Sequence, residues 1–528
     1  MTNSIPGFAT LDPYNGMNPS QPGTVQNLCR GQWYASHSTR DDIVDPLTGG
    51  LFLSVPDTDA KELALFREGI KSCPKFGLHN PLYKPERYVH LGDVCARVAA
   101  SLATEEVEAY FATLIQRVMP KSYQQCLNEV IVTRKFLENF SGDGVRFLAR
   151  GFLNPGDRSG QESRGYRWPF GSVAVIAPFN FPLEIPGLQM LGALFMGNRP
   201  LVKVDSKVSC VMEQFLRLLI DSGLNPGDMD LLHCRGERMG ELLEQAKGDL
   251  RLVQFTGSGA VAESIAGVMN GRVRLEDAGF DWKIIGPDFD PDWLDYVAWQ
   301  CDQDAYNASG QKCSAQSMLF VHENWSQALL PKLKSLAGGR TLSELAIGPV
   351  LSWSDEKIQG HIADVLSTPG AKLMFGGQAL SGHSIPSCYG TLEPTAIQVS
   401  LESLAGDYFE TITTELFGPF QVVVEYNDTN LDSVLNILER ISHHLTAAIV
   451  SDCSDFQRTL LEATVNGTTY CGMRARTTGA PQNHWFGPCG DPRAAGIGTV
   501  EAITGTWSGH REIVMDQSPL ENWQTPGY

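Results

Sequence analysis

Short apolar runs and longer amphipathic stretches alternate between residues 171 and 276. The apolar runs have the length of β-strands and lie at residues 172–177, 201–204, 229–233, 252–255 and 272–275. The stretches between them repeat apolar residues at helical spacing and lie from residue 182 onward and at 208–220, 239–247 and 261–268. Strands without polar alternation, separated by helices, predict an α/β fold with a parallel, doubly wound sheet.

The same kind of pattern extends to both sides of this region. Residues 57–148 carry apolar positions at three- and four-residue spacing and predict a set of helices. Residues 282–470 alternate again and predict a second α/β domain, with strands that include 315–322, 372–375 and 446–450. Residues 1–30 are rich in Pro, Gly, Asn and Ser, and we expect an N-terminal arm or a loosely packed cover.

Polar residues follow the predicted strands of the first sheet. Asn180, Lys203, Asp205, residues 256–258 and Glu276 each lie at or just past the carboxyl end of a strand. Ligands of open α/β sheets bind outside these ends. The sequence therefore predicts a ligand site along this edge.

Composition narrows the function further. The chain of 528 residues is long enough for two or three domains, and its net charge of −19 argues against nucleic-acid or anionic-membrane partners. The apolar window at 173–196 is interrupted by Pro, Asn and Glu, so no membrane span is predicted. Twelve isolated cysteines show no metal-ligand spacing, and no metal is expected.

A single cysteine, Cys313, stands in the sequence Ser-Gly-Gln-Lys-Cys-Ser at residues 309–314. The flanking lysine and serine carry donor groups, which favour a thiolate at neutral pH. Taken alone, such a cysteine is more typical of a small buried apolar residue. Together, the amide of Asn180, the carboxylate of Glu276 and this thiol form the set that aldehyde oxidation requires.

Five motifs in one order carry a resemblance to a known family. They are Pro-Phe-Asn-Phe at 178–181, Phe-Thr-Gly-Ser at 255–258, Glu276, Gly-Gln-Lys-Cys at 310–313 and Glu-Leu-Phe-Gly-Pro at 415–419. In this order they resemble the aldehyde dehydrogenase superfamily over nearly the whole chain beyond residue 30.

Other motifs resemble one branch of that superfamily. Asp-Ala-Tyr at 304–306 and the sequence around Cys313 are similar to the 1-pyrroline-5-carboxylate dehydrogenases, and residues 276–283 and 483–488 to their plant branch. The resemblance implies NAD-dependent oxidation of L-glutamate γ-semialdehyde, the open form of 1-pyrroline-5-carboxylate, to L-glutamate in proline catabolism.

The resemblance also implies a domain plan. We expect an arm (1–30), a Rossmann-type NAD-binding domain (31–148 and 168–276), a thiol-bearing catalytic domain (277–480), and an oligomerisation hairpin with its tail (149–167 and 505–528). The tail would supply a partner strand near 511–515. A homodimer or homotetramer in the mitochondrial matrix is implied by the relatives. The first 29 residues show no basic transit pattern, which leaves a cytosolic location as the alternative.

Roles follow residue by residue from the resemblance and from charge. Cys313 is expected as nucleophile, Asn180 as oxyanion donor and Glu276 as general base. The residues expected to contact NAD are Ala177, Pro178, Phe179, Lys203, Asp205, Ser206, Gly257, Ser258, Glu415 and Phe417. A buried amino-acid aldehyde needs partners for both its charges, and the residues expected around it are Lys312, Ser314, Gly496, Phe181 and Glu129.

Two positions depart from the family pattern. The family often has a glutamate where Ser206 stands, which leaves the preference for NAD over NADP open. Many members have a lysine where Gln189 stands, so no lysine proton relay is predicted.

Alternatives remain at each level. Asn180 could be a turn residue, Glu276 could pair with Arg272 or Arg274, and Glu129 could be a solvated helix residue. The enzyme could act on a succinic or amino semialdehyde, or be a cysteine hydrolase, although no histidine lies near these motifs. A catalytically silent homologue is disfavoured by the presence of the nucleophile, base and amide together.

Overall fold

The computed structural model describes residues 4–277, 279–479, 485–517 and 524–527. Ala278, the Asn483 and His484 of the 483–488 motif, and most of the tail beyond residue 517 lie outside the described residues. The strands are β1 (Gly23–Thr24), β2 (Asn27–Cys29), β3 (Gln32–Tyr34), β4 (Arg40–Val44), β5 (Leu51–Pro56), β6 (Phe152–Pro155), β7 (Gln161–Pro169), β8 (Ser172–Ala177), β9 (Arg199–Val204), β10 (Asp230–Leu231), β11 (Leu252–Gly257), β12 (Val273–Asp277), β13 (Asp281–Ile285), β14 (Gln316–His322), β15 (Lys372–Phe375), β16 (Thr395–Val399), β17 (Phe420–Tyr426), β18 (Thr446–Val450), β19 (Thr468–Cys471) and β20 (Ser508–Asp516). The helices are α1 (Ala60–Ser72), α2 (Glu86–Leu102), α3 (Glu105–Val118), α4 (Tyr123–Asn139), α5 (Gly144–Phe147), α6 (Glu184–Phe195), α7 (Ser209–Asp221), α8 (Gly236–Ala246), α9 (Gly259–Val268), α10 (Leu294–Tyr306), α11 (Glu323–Gly338), α12 (Asp355–Leu366), α13 (Leu401–Ala405), α14 (Phe409–Ile412), α15 (Leu431–Arg440), α16 (Ser454–Ala463) and α17 (Val500–Trp507).

The first large sheet confirms the predicted α/β core. Its order is β12-β11-β8-β9-β10-β2-β3, and the five strands from β12 to β10 are parallel. Every residue of β8 is buried, which explains its continuous apolar sequence. The carboxyl ends of these parallel strands lie at one edge, where the sequence placed its polar residues.

The N-terminal segment is more tightly packed than its composition suggested. β2 joins the first sheet antiparallel to β10, and β1 pairs with β5. The side chains of Leu11, Met17 and Val25 are buried in the main core. The expectation of a loosely packed arm was therefore wrong, because isolated apolar residues among the prolines and glycines supply the contacts.

The second large sheet belongs to the part of the chain that contains Cys313. Its order is β15-β16-β17-β14-β13-β18-β19, parallel throughout except for β15 at one edge. Trp282, Phe320 and Ile449 are buried in the core on one of its faces. The chain passes from the first large sheet to the second between β12 and β13, next to Glu276.

A small three-stranded sheet is formed by β6, β7 and β20. The predicted pairing of the hairpin with the tail is present, with Ser508 opposite Pro169 and Asp516 opposite Gln161. Its apolar side chains Phe152, Leu153 and Val514 are exposed. Within the described ranges, no helix combines the length and the apolar character needed to cross a membrane.

Helix α6 fixes the segment that follows β8. Its residues from Ile185 to Phe195 are all buried, as expected for a helix that is apolar on every side. Glu184 is the one charged residue of this helix and occupies its first position. The residues 178–183, including Asn180, therefore span from a buried strand to a buried helix.

Candidate active site

The turn before Cys313 has an unusual backbone. Ala308, Ser309 and Gly310 have φ values of 54°, 55° and 67° in succession. Left-handed backbone at a residue other than glycine costs of order 1–3 kcal/mol, so surrounding contacts must hold it. The Gly348 N–H donates to Ser309 Oγ at 2.7 Å, and the Ala308 N–H donates to Gln125 Oε1 at 3.0 Å.

The Gly-Gln pair of the cysteine motif has a structural purpose. A Cβ atom on Gly310 would lie 2.0 Å from the carbonyl oxygen of Gly418, so only glycine fits. The Gln311 side chain accepts from the Leu351 N–H at 2.7 Å and donates to the Pro349 carbonyl at 2.9 Å. The turn before Cys313 therefore packs against Gly418 of the 415–419 segment and is hydrogen-bonded to Pro349 and Leu351.

Cys313 and Glu276 lie together at the centre of the site. Burial raises the pKa of Glu276 to about 7, although a hydrogen bond with the Cys313 thiol opposes the shift. Neither Arg272 nor Arg274 pairs with this carboxylate; both donate to backbone carbonyls instead. Glu276 Oε1 is buried without a hydrogen-bond partner among the described residues. The geometry leaves Glu276 as the proton acceptor nearest the thiol.

The protonation state of the thiol differs from the expectation. Burial, and then the negative Glu276, raise the pKa of Cys313 well above its usual value. Lys312 does not compensate, because its Nζ donates to the Gln303 carbonyl at 3.1 Å and burial lowers its own pKa to about 8. The direction of this pKa shift favours the thiol over the expected thiolate, so the proton of Cys313 must pass to a base.

The backbone of Asn180 is fixed by a hydrogen bond, whereas its side-chain oxygen accepts none from the described residues. Lys121 Nζ donates to the Asn180 carbonyl at 3.2 Å. Asn180 Oδ1 is buried and has no hydrogen-bond partner among the described residues. A plain turn residue would spend its side chain on neighbouring backbone, so the geometry favours a ligand-binding amide.

Lys121 and Glu129 form a buried clamp on the segment between β8 and α6. Lys121 Nζ lies 2.7 Å from Glu129 Oε2, and both side chains are inaccessible to solvent. Glu129 Oε1 accepts from the N–H groups of Leu183 at 2.8 Å and Glu184 at 3.2 Å. The alternative of a solvated Glu129 is therefore wrong.

A cavity of about 500 Å³ opens at the carboxyl ends of β8, β9 and β11. Phe417 contacts Phe179 edge-on there, with ring centroids 5.9 Å apart. The predicted NAD residues that line it are Ala177, Pro178, Phe179, Lys203, Asp205, Gly257, Ser258, Glu415 and Phe417. Ser206 is not in its wall and donates to the Cys234 carbonyl at 3.4 Å.

A second cavity of about 240 Å³ lies on the other side of Cys313. The predicted substrate residues that line it are Lys312, Ser314, Phe181 and Glu129. Gly496 does not line it; the following Ile497 and Gly498 do. Among the described lining residues, Cys313 alone belongs to both cavities.

Comparison with known proteins agrees with this arrangement. The profile of the aldehyde dehydrogenase family matches residues 33–498. The chain belongs to the aldehyde dehydrogenase family. It is 54% identical over 530 residues to delta-1-pyrroline-5-carboxylate dehydrogenase 12A1, mitochondrial, of Arabidopsis thaliana, covering 100% of this chain and 94% of that protein. It is also 54% identical to a probable aldehyde dehydrogenase of Linum usitatissimum, covering 99% and 95%.

Solved structures share the fold of this aldehyde dehydrogenase. A putative methylmalonate-semialdehyde dehydrogenase from Sinorhizobium meliloti, complexed with NAD, has a TM-score of 0.80 at 21% identity and covers 95% of this chain and all of that one. Aldehyde dehydrogenase 21 from Physcomitrella patens, in complex with succinate, has a TM-score of 0.79 at 17% identity, covering 94% and 99%.

The larger cavity of the aldehyde dehydrogenase suits a dinucleotide. Its volume lies within the range of small-molecule sites. Ser258 stands at the start of α9, and its side chain does not cap that helix. The N–H groups of a helix start attract phosphate, so these residues fit a pyrophosphate group.

Neither Lys121 nor Glu184 was predicted from the sequence as a residue of the site. A lysine that is buried against a residue eight positions later leaves no periodic signal. Glu184 did leave one, since it is a single charge at the start of an otherwise apolar helix. Such a charge needs a partner or a function.

Replacement of Lys121 with methionine is expected to destabilise the aldehyde dehydrogenase. Breaking a buried ion pair from one side costs about 3–5 kcal/mol, because the remaining charge stays buried. Thermal unfolding would show a lower midpoint for Lys121→Met than for wild type. Adding Glu129→Gln should recover part of the loss, since no charge is then left unpaired. A double variant less stable than Lys121→Met would contradict the clamp.

Proposed function

We propose that this aldehyde dehydrogenase oxidises L-glutamate γ-semialdehyde to L-glutamate with NAD. The observation that carries the proposal is the charge content of the smaller cavity. Among its described lining residues, Lys121 and Lys312 are cationic, Glu129 and Glu184 are acidic, and Cys313 is the nucleophile. A substrate with both an ammonium and a carboxylate group suits such a wall. The identity with the Arabidopsis protein supports the same assignment.

The first step joins the cysteine to the aldehyde. Cys313 Sγ forms a bond to the carbonyl carbon as its proton passes to Glu276. The carbonyl oxygen becomes an oxyanion, which the Asn180 side-chain amide and the Cys313 N–H stabilise. Loss of one such donor typically lowers kcat by about 10²–10³-fold.

The larger cavity would hold the coenzyme. Lys203 and Asp205 would face its adenosine ribose, Ser258 its pyrophosphate, and Glu415 and Phe417 its nicotinamide end. NAD bound there supplies the hydride acceptor for the oxidation.

Release of the product requires water. Once the carbon on Cys313 has reached the acyl level and Glu276 has released the thiol proton to solvent, the Glu276 carboxylate accepts a proton from a water molecule that attacks this carbon. The C–S bond then breaks and restores the cysteine. A carboxyl with a pKa of about 7 suits proton transfer near neutral pH.

Substrate selection involves the residues beside the nucleophile. Lys312 and Ser314 would bind the α-carboxylate, and Phe181 would cover the aliphatic chain. The Phe181 ring is itself fixed by Lys121, whose Nζ lies 4.4 Å from the ring centroid. The site is therefore shaped before the substrate enters.

The test compares substrates of equal length. NADH formation is followed with glutamate semialdehyde and with glutaric semialdehyde, which has the same chain without the amino group. We expect kcat/KM to favour glutamate semialdehyde by at least about tenfold, the effect of one well-placed polar contact. Equal values would favour the alternative of a dehydrogenase for another semialdehyde. A hydrolase would release product without any dinucleotide.

Assembly and location extend the proposal. We expect a homodimer or homotetramer, supported by the exposed Phe152, Leu153 and Val514 of the small sheet. A mitochondrial location is supported by the description of the Arabidopsis relative.

A further inference from the structure

One wall of the smaller cavity is formed by α4, by α6 and by Lys121 just before α4, and its described residues include two carboxylates, Glu129 and Glu184, and one cation, Lys121. Lys121 neutralises Glu129 at 2.7 Å, and two backbone N–H groups occupy the other oxygen of Glu129. Glu129 is therefore already compensated in charge and in hydrogen bonds. Its use for a cationic ligand would disturb the clamp that positions Asn180.

Glu184 is the acidic group in this wall that lacks a cation. It lines the cavity at the start of α6 and is partly buried. No hydrogen bond or ion pair to another described residue engages its carboxylate. Burial, and then the negative Glu129, raise the pKa of Glu184 to about 8, as expected where the nearest cation is engaged elsewhere.

Packing does not account for a charge at this position. The remaining residues of α6 are buried and mainly apolar, so an apolar residue at 184 would suit the helix. An acidic side chain that remains there without a partner carries a desolvation cost. A cationic group of a ligand would remove that cost.

We propose that Glu184 binds the α-ammonium group of the amino-acid aldehyde and so distinguishes this substrate from semialdehydes without an amino group. This inference rests on the proposed function and identifies Glu184 as the residue that selects glutamate semialdehyde among semialdehydes. Lys312 lines the same cavity and would turn from the Gln303 carbonyl to the substrate carboxylate, while Glu184 would meet the ammonium. Glutaric semialdehyde would leave the Glu184 carboxylate in the wall without a cation.

The experiment replaces Glu184 with glutamine, which keeps the size and removes the charge. Steady-state kinetics are measured for glutamate semialdehyde and glutaric semialdehyde in parallel. We expect the KM for glutamate semialdehyde to rise about 10- to 100-fold, the effect of losing a hydrogen bond to a charged group. The KM for glutaric semialdehyde should stay within about twofold or fall.

Product inhibition gives a second measurement on the same variants. L-glutamate should inhibit wild type more strongly than Glu184→Gln, whereas glutarate should inhibit both alike. Glu184→Leu, which matches the apolar helix, should repeat the pattern if the glutamine variant folds poorly. Glu138→Gln, an exposed position on α4, serves as the matched control and should change neither constant.

The outcomes separate this inference from the proposed function. Equal rises in KM for both aldehydes, or a loss of kcat with unchanged KM, would overturn the role of Glu184 and leave the function standing. A wild-type enzyme without preference for glutamate semialdehyde would instead overturn the function itself.

Discussion

Replacement of Cys313 with alanine is expected to abolish aldehyde oxidation while NAD binding stays close to that of wild type. The sulfur forms the covalent bond to the substrate, and no other described cysteine lines either cavity. Removing a nucleophile typically lowers kcat by about 10⁴-fold or more. NADH formation at saturating substrate measures the first effect, and titration of the protein with NAD measures the second.

The control for this variant is Cys388→Ala, which removes an exposed thiol. It should leave kcat unchanged. Mass spectrometry of wild type during turnover should find the acyl adduct on Cys313 alone. Residual oxidation of more than about 1% of wild type in Cys313→Ala would contradict the mechanism.

Replacement of Glu276 with glutamine is expected to separate the two halves of the reaction. The carboxylate lies beside the thiol and has a buried oxygen without a partner, so the variant loses the group that accepts protons in both steps. Water attack depends on it most, because the thiol can also lose its proton to solvent. A rapid-mixing experiment should show about one NADH per subunit, followed by a steady state slower by about 10²–10⁴-fold.

The pH profile provides an independent test of the same residue. Because the base must be ionised and the pKa of Glu276 is raised to about 7, wild-type kcat should rise as pH increases through about 7. Glu276→Gln should lose this dependence. Asp277→Asn, the next residue on β12, removes a negative charge that helps to raise the pKa of Glu276, and should shift the profile to lower pH without abolishing it. A burst followed by wild-type turnover in Glu276→Gln would remove Glu276 from the base role.

Regular elements were predictable because their burial is uniform. β8 is buried at every residue, and α6 from Ile185 to Phe195, so the apolar runs marked them directly. β10 was predicted over five residues and pairs at only two, because sheet pairing depends on the neighbouring strands as well as on the local sequence. The packing of the N-terminal segment was not predicted for a related reason. Leu11, Met17 and Val25 stand apart in the sequence and form no periodic pattern that would indicate burial.

The site residues were predictable where a reactive side chain stands at a strand end or in a turn marked by the sequence. Cys313, Glu276 and Asn180 follow strand ends or a constrained turn, and the structure brings them to one place. The charge environment was not predictable, because the pKa of Cys313 depends on Glu276 across the fold while its sequence neighbour Lys312 points toward Gln303. The Lys121–Glu129 ion pair was not predictable either, because it depends on contacts formed only in the folded chain.

The position of Cys313 as the residue common to two separate voids has a practical consequence. Cys313 lies between the larger cavity, proposed for the nucleotide, and the smaller cavity, proposed for the amino-acid aldehyde. An inhibitor shaped for the smaller cavity could capture the sulfur while the nucleotide stays in place. Such a compound could draw its selectivity from Lys121, Lys312, Glu129 and Glu184, which do not line the nucleotide cavity.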